Sequence, residues 1–195
     1  METTQPEVQI PAEPLPQQTD NWKRFLLDIL ETVILAVVLY FGINAISARV
    51  RVDGLSMNPT LQHGEYVLVS RLAYKTGVPA RGDIIVFSFP MDQKQDLIKR
   101  VIGLPGETIE IRSGEVLING AKLDEPYIAQ SPVYNGTWTV GEGQLFVLGD
   151  NRNDSKDSHQ WGLLPIENVI GKALLIYWPP PDWKLINHTQ EVFIP

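Results

Sequence analysis

Between Glu31 and Arg49 the sequence runs TVILAVVLYFGINAISA, residues 32–48, without a single formal charge. A bilayer core needs about 20 apolar residues as a helix, with about 17 as the lower limit. The stretch therefore predicts a transmembrane anchor over residues 22–48. A cleavable signal peptide is one alternative, although the segment before it would be long and acidic. A buried amphipathic helix is the other, although residues 33–43 hold few polar side chains.

The segment before the anchor differs from the rest of the chain in charge and composition. Residues 1–21 contain four acidic residues and four prolines but no Lys or Arg. Such a segment buries too little apolar surface to offset the entropy of ordering it. We expect a disordered acidic tail over residues 1–21.

Composition excludes several classes of function. The chain of 195 residues has 16 Lys and Arg against 23 Asp and Glu, a net charge of −7, whereas nucleic-acid binders normally carry a basic surface. It has no Cys, which excludes disulfide scaffolds, thiolate zinc sites and cysteine nucleophiles. Neither a metal-ligand cluster nor a phosphate-binding glycine loop is present, so we expect no cofactor, no metal and no nucleic-acid partner.

Beyond residue 50 the apolar residues form short runs separated by turn signals. Val116-Leu117-Ile118 followed by Asn119-Gly120 predicts a tight hairpin with a type I′ turn. No apolar pattern there repeats every 3.6 residues over three turns. The sequence predicts a mainly antiparallel β domain of short strands over residues 49–195, tethered by one N-terminal transmembrane helix. Further strands are predicted at 66–69, 84–87, 107–111, 145–148 and 169–178.

Three polar or glycine-rich segments interrupt these strands. They are DGLSMNPTL at 53–61, KRVIGLPGE at 99–107 and GDNRNDSKDSHQWG at 149–162. Taken singly, each has an ordinary explanation: a turn, a strand edge with an extended lysine, and a solvated loop. In this order and spacing, they closely resemble the motifs of type I signal peptidases, a family of membrane-bound Ser–Lys endopeptidases. The resemblance covers the anchor and nearly all of residues 49–195.

The resemblance implies that Ser56 is the nucleophile and Lys99 its general base. A serine hydroxyl needs a base to take its proton, and a lysine can replace the usual histidine. To be neutral near pH 7, the lysine must be desolvated by apolar neighbours. In several family members a serine two residues before the nucleophile helps to bind the oxyanion, whereas Gly54 stands there in this chain. Four apolar residues flank the lysine: Leu97, Ile98, Val101 and Ile102.

The same resemblance assigns supporting roles to the polar loop. Ser155 matches the serine that positions the base, so it is expected to orient Lys99. Asp157 matches an acidic residue that usually pairs with an arginine two positions later, and here His159 occupies that position. The pairing is therefore expected either as a carboxylate–imidazole hydrogen bond or as a contact with Arg152.

Substrate docking is also implied by the resemblance. In this family the precursor binds as an extended segment beside strands near the nucleophile, and small residues at −1 and −3 enter shallow apolar pockets. Met57, Leu61 and Ile98 are expected to line the pocket nearest the scissile bond, with Val52 and Val86 as weaker candidates. Core packing is the alternative for each of these side chains.

The family's activity predicts the partners and the orientation. The partners would be signal-peptide-bearing preproteins and the lipid bilayer. Two basic residues lie on each side of the anchor, Lys23 and Arg24 before it and Arg49 and Arg51 after it, so charge alone leaves the topology open. Signal peptides are cut on the far side of the membrane, which implies a single-pass protein of the cell membrane or an internal membrane. Its N-terminus would be cytoplasmic and its catalytic domain on the trans side.

Two other classes of function remain open at this point. One is a different Ser–Lys enzyme, such as a self-cleaving repressor of related fold, although the membrane helix and the lack of a basic DNA-binding segment argue against it. The other is a membrane-tethered peptide-binding β module without activity, although the presence of both Ser56 and Lys99 argues against it. Cleavage of a precursor peptide by purified protein would separate these classes.

Overall fold

The anchor forms a single long helix. The computed structural model describes residues 21–75 and 77–188 together with the backbone of 193–194, so the expected tail falls outside the described residues, apart from Asn21. Helix α1, Asn21–Ile46, has 26 residues, and none of its side chains is buried. At 1.5 Å per residue it is about 39 Å long, more than the roughly 30 Å of a hydrocarbon core. Among the described residues it is the one helix long and apolar enough to cross a membrane.

The rest of the described chain is β-structure in two antiparallel sheets, which confirms the predicted fold class. The larger sheet has the order β1-β2-β11-β3-β4-β9-β10, with β12 paired to β11, and the smaller has the order β13-β7-β6-β5-β8. A short helix, α2, covers Ser158–Trp161. The strands are β1 Ser47–Arg51, β2 Tyr66–Ser70, β3 Ile84–Phe89, β4 Asp92–Gly103, β5 Thr108–Arg112, β6 Glu115–Ile118, β7 Ala121–Leu123, β8 Gly136–Thr139, β9 Gln144–Leu148, β10 Leu164–Pro165, β11 Val169–Trp178, β12 Lys184–Leu185 and β13 Phe193–Ile194.

The predicted strands and hairpin are present. Each of the predicted runs lies in β2, β3, β5, β9 or β11, with boundaries within two residues. The hairpin joins β6 to β7, and Asn119 and Gly120 have φ angles of 52° and 86°. Positive φ at both central residues is what a type I′ turn requires, and Asn and Gly adopt it readily.

Strand β4 places the central part of the site. It pairs with β3, where Lys99 lies opposite Ile85, and with β9, where Arg100 lies opposite Leu148. Its six residues from Ile98 to Gly103 are all buried, because sheet neighbours and core side chains cover both faces. A lysine at position 99 is therefore held inside the protein by the strand that carries it.

Candidate active site

Ser56 lies in the turn-rich loop 52–65 between β1 and β2. The Asn58 N–H donates to the Leu55 carbonyl at 3.0 Å, and the Asn151 N–H donates to the Ser56 carbonyl at 3.0 Å. The Asn151 side-chain amide also donates to the Leu55 carbonyl at 3.2 Å. The loop is therefore fixed both by its own turn and by the loop that follows β9.

Gly54, at the position where the resemblance places a serine in several family members, has a backbone conformation that favours glycine. Gly54 has a φ of +96°, and its N–H donates to His63 Nδ1 at 3.0 Å. A Cβ at this position would meet no atom within 4 Å, so space is not what excludes a side chain. The positive φ is the obstacle, because residues with a Cβ adopt that conformation only with strain.

Lys99 reaches Ser56 from the interior of β4. Its side-chain Nζ is 2.8 Å from Ser56 Oγ and 2.9 Å from the Ile98 carbonyl oxygen. The residue is 2% exposed. Burial lowers its pKa from 10.5 to about 8, although the negative charges of Asp157 and Asp150 act in the opposite direction. A substantial fraction of this lysine is therefore neutral at mildly alkaline pH.

The neighbouring residue on β4 forms a buried ion pair behind this site. The Arg100 guanidinium donates to both carboxylate oxygens of Asp150, at 2.8 and 2.7 Å, and Thr60 Oγ1 also donates to that carboxylate. The guanidinium also lies 3.9 Å from the centre of the Tyr127 ring. This cluster joins β4, the Ser56 loop and the start of the polar loop.

Asp157 holds the polar loop through two backbone N–H groups and a contact with the His159 imidazole. One carboxylate oxygen accepts from the Gly149 N–H at 2.9 Å. The other accepts from the backbone N–H of His159 at 3.2 Å and lies 2.5 Å from its Nδ1. Of the two pairings expected from the sequence, the carboxylate–imidazole contact is the one in the structure. Arg152 instead pairs with Glu125 at 2.7 and 2.5 Å.

Gly149, the first residue of the polar loop, lies between Ser56 and Ser155. A Cβ on Gly149 would overlap both the Ser155 hydroxyl and the Ser56 carbonyl. The Ser155 hydroxyl is buried next to this point and makes no hydrogen bond to any residue that the structure describes, so the expected contact with Lys99 is not among its contacts. The loop therefore places Ser155 near the site with its hydroxyl not hydrogen-bonded to any described residue.

The side chains expected in the substrate pocket pack together below the loop. Met57 is 1% exposed, Leu61 0% and Ile98 8%. They belong to one apolar cluster, together with Val52 and Val86. In this structure they are core side chains, and Ile98 is the most accessible of the three.

Several residues of the site were not predicted from the sequence. Arg100 and Asp150 belong to the quoted motifs but carried no expected pairing. Glu125 and Tyr127, from the segment after β7, contact Arg152 and Arg100, and Tyr134 stacks on His159. Only a three-dimensional arrangement reveals these contacts, because each joins residues more than 20 positions apart. Among the described residues no group of three or more His, Asp or Glu side chains is arranged to hold a metal.

Comparison with known proteins identifies the family. A family model described as signal peptidase, peptidase S26, matches residues 26–178. The chain belongs to the S26 family of signal peptidases. The resemblance recognised from the motifs is thereby confirmed, and with α1 it makes the protein a membrane-anchored serine endopeptidase.

Named relatives of this signal peptidase come from Leptolyngbya, Synechocystis and Staphylococcus. Signal peptidase I of Leptolyngbya laminosa is 44% identical over 163 residues, which cover 79% of this chain and 80% of the relative. Probable signal peptidase I-2 of Synechocystis sp. is 40% identical over 173 residues, which cover 85% of this chain and 79% of the relative. Signal peptidase IB of Staphylococcus aureus is 34% identical over 182 residues, which cover 83% of this chain and 94% of the relative.

Proposed function

We propose that this signal peptidase removes N-terminal signal peptides from exported preproteins, with Ser56 as nucleophile and Lys99 as general base. The observation that carries the proposal is the 2.8 Å separation of Lys99 Nζ from Ser56 Oγ, within reach for direct proton transfer. Burial of the lysine supports it, since desolvation disfavours the ammonium form and leaves the amine able to accept a proton.

The proposed reaction uses the two side chains in turn. Neutral Lys99 takes the proton of Ser56 as Oγ attacks the carbonyl carbon of the scissile bond. The resulting ammonium gives that proton to the amine of the mature chain, which leaves, and the signal peptide remains as an ester on Ser56. Lys99 then takes a proton from the water that attacks the ester and gives it to Ser56 Oγ as the ester bond breaks, so that the signal peptide leaves with a new carboxyl terminus and both side chains return to their starting state. The Ser56 N–H would stabilise the oxyanion without help from a side chain at position 54.

We assign positioning roles to Asp157, Arg152 and Ser155. Asp157 accepts the Gly149 N–H and Arg152 Nε donates to the Gly149 carbonyl at 3.1 Å, so the two side chains fix Gly149 through its N–H and its carbonyl. Gly149 in turn lies against the Ser56 carbonyl. The free hydroxyl of Ser155 next to it is available to bind Lys99 when the amine rotates during the reaction.

The precursor would dock as an extended segment above Ser56. Three buried side chains would form the apolar floor of the pocket for the −1 residue: Met57, Leu61 and Ile98. Their burial supports a role in limiting the depth of that pocket rather than in making extensive contacts with the precursor. A shallow pocket of this kind accepts a small side chain at −1 and rejects a large one.

We place the catalytic domain on the trans side of the cell membrane or an internal membrane, with the N-terminus in the cytoplasm. The support is functional, because a preprotein exposes its cleavage site only after crossing. Helix α1 then acts as a retained single-pass anchor, with Lys23 and Arg24 on the cytoplasmic side.

Substitution of each member of the dyad tests the proposal. Ser56→Ala and Lys99→Ala in the full chain should each abolish cleavage of a precursor that carries an Ala-x-Ala site, because nucleophile and base act as a unit. Lys94→Ala is the matched control, since Lys94 is exposed on the same strand. Circular dichroism should show all three variants folded. Near-parental turnover by folded Lys99→Ala would refute the assignment of the base.

A further inference from the structure

The peptide group that joins Leu55 to Ser56 carries the proposed oxyanion donor. One end of this group is the Ser56 N–H, and the other end is the Leu55 carbonyl. Because a peptide group is planar, fixing the direction of the carbonyl also fixes the direction of the N–H. No backbone carbonyl of the described residues accepts the Ser56 N–H, so this donor is left for a substrate. The contacts of the Leu55 carbonyl therefore decide where the oxyanion donor points.

The Leu55 carbonyl accepts two hydrogen bonds, one from its own turn and one from the polar loop. The Asn58 N–H donates to it at 3.0 Å, and the side-chain Nδ2 of Asn151 donates to it at 3.2 Å. These two bonds use both lone pairs of the oxygen. A carbonyl that accepts hydrogen bonds polarises its peptide group, which makes the N–H at the other end a stronger donor. The Asn151 amide thus both orients the Ser56 N–H and strengthens it.

Asn151 also holds the next peptide group of the nucleophile loop. Its backbone N–H donates to the Ser56 carbonyl at 3.0 Å. The peptide groups on both sides of the Ser56 Cα are therefore bonded to one residue of the polar loop, which restricts the backbone angles of Ser56. The same Cα carries Oγ, which lies 2.8 Å from Lys99 Nζ. Only the bond to the Leu55 carbonyl depends on which side chain stands at position 151.

The residues on either side of Asn151 fix its position in the structure. Asp150 is 0% exposed and pairs with Arg100 at 2.8 and 2.7 Å. Arg152 is 1% exposed and pairs with Glu125 at 2.7 and 2.5 Å. The Asn151 side chain itself is only half-buried, so core packing does not require an amide there. Two buried ion pairs therefore hold the donor in place before a substrate binds, as preorganised stabilisation of a transition state requires.

We propose that Asn151 is a positioning residue for the oxyanion donor, whose side-chain amide fixes and polarises the Leu55–Ser56 peptide group so that the Ser56 N–H meets the developing negative charge. The proposal rests on the proposed role of Ser56 as nucleophile. Because Gly54 offers no side-chain donor, the backbone N–H matters more in this chain than in family members with a serine there. The carbonyl oxygen of the precursor gains its charge only as Oγ attacks, so the amide stabilises the transition state more than the bound precursor.

Steady-state kinetics of the full chain in detergent, on a precursor with an Ala-x-Ala site, test this with a matched pair of variants. Asn151→Leu keeps the branched shape of the side chain, adds no charge and removes the donor. Asn153→Leu is the control, because the amide of Asn153 in the same loop donates to the Ser131 carbonyl at 3.0 Å instead. In Asn151→Leu kcat should fall about 10- to 100-fold while KM changes less than about twofold. Asn151→Ala gives the same comparison if circular dichroism shows the Leu variant unfolded. A kcat within about twofold of that of Asn153→Leu would overturn the proposal.

A peptide aldehyde ending in Ala-x-Ala separates this role from a merely structural one. Ser56 Oγ bonds to the aldehyde carbon and its proton passes to the aldehyde oxygen, which then lies where the oxyanion would form. The Ki of the aldehyde should rise in Asn151→Leu by about the factor by which kcat falls. The Kd of an uncleaved precursor peptide should be the same for Ser56→Ala with and without Asn151→Leu, whereas a distorted docking site would weaken the binding of both ligands.

The same variants distinguish failure of this inference from failure of the proposed function. An unchanged Ki of the aldehyde in Asn151→Leu, or an equal weakening of aldehyde and peptide, would overturn the positioning role. If Ser56→Ala alone still cleaves the precursor, the proposed function fails instead. If Ser56→Ala is inactive but Asn151→Leu matches Asn153→Leu in kcat and in Ki, only this inference fails.

Discussion

Replacing Lys99 by Met should stabilise the protein while abolishing its activity. The buried lysine has a pKa of about 8 in the folded chain against an ordinary value of 10.5. Because the folded-state pKa is the lower one, the unfolded chain binds the extra proton more tightly. The buried lysine therefore lowers the free energy of unfolding by its full amount below about pH 8. This cost shrinks as the pH rises from about 8 and has largely gone above 10.5.

The magnitude follows from the size of the pKa difference. At 1.36 kcal/mol per unit, a lowering from 10.5 to about 8 corresponds to about 3 kcal/mol of free energy of unfolding. Met fills nearly the same volume without a charge. The advantage of Lys99→Met over wild type at pH 7 should therefore exceed its advantage at pH 10.5 by about 3 kcal/mol.

Urea unfolding of the full chain in detergent, followed by near-ultraviolet circular dichroism at both pH values, measures this difference. Lys94→Met provides the control, because an exposed lysine on the same strand should show no pH-dependent change. A stability difference between Lys99→Met and wild type that stays constant from pH 7 to pH 10.5 would refute the reasoning. It would mean that burial does not lower the pKa of this lysine.

Three further substitutions or labels probe the rest of the site. Ser155→Ala should lower kcat about 10- to 100-fold if its hydroxyl positions Lys99. The variant should keep its stability, because this hydroxyl makes no hydrogen bond to a described residue. Unchanged kcat in steady-state assays would exclude a positioning role. Asp150→Ala should reduce the free energy of unfolding by about 3–5 kcal/mol, because it leaves the buried Arg100 guanidinium without its carboxylate partner. A loss below about 1 kcal/mol in a urea titration would contradict this. Protease added to the trans side of sealed vesicles should digest an epitope at residue 195 and spare one at residue 1, and the reverse pattern would invert the proposed topology.

The elements that the sequence predicted are those with a local signal. β2, β3 and β9 are short apolar runs bounded by turn residues, and the Asn119-Gly120 pair selects its hairpin by backbone conformation alone. The first half of β4 lacks such a signal, because Asp92 to Asp96 are polar and exposed and are held in the strand by pairing with β3. Pairing with the preceding strand, and not the polarity of its own residues, makes this segment a strand.

The candidate site also has some residues that the sequence predicted and some contacts that it did not. The motif pattern brought attention to Ser56 and Lys99, whose side chains are in contact in the structure. The motifs did not show that Met57 and Leu61 would be fully buried, since an apolar residue beside a nucleophile can face either the pocket or the core. The Tyr134 contact with His159 carries no sequence signal at all, because it depends on how two sheets and their connecting segments pack.

The pH dependence of kcat/KM for wild-type protein on a precursor with an Ala-x-Ala site tests the Ser56–Lys99 account most directly. The account predicts a rate that rises with pH through an apparent pKa near 8, as burial of Lys99 requires, and a loss of this limb in Lys99→Ala. A rise only above pH 10 or a flat profile from pH 6 to 9 would contradict it, because a buried neutral lysine would then not be the base.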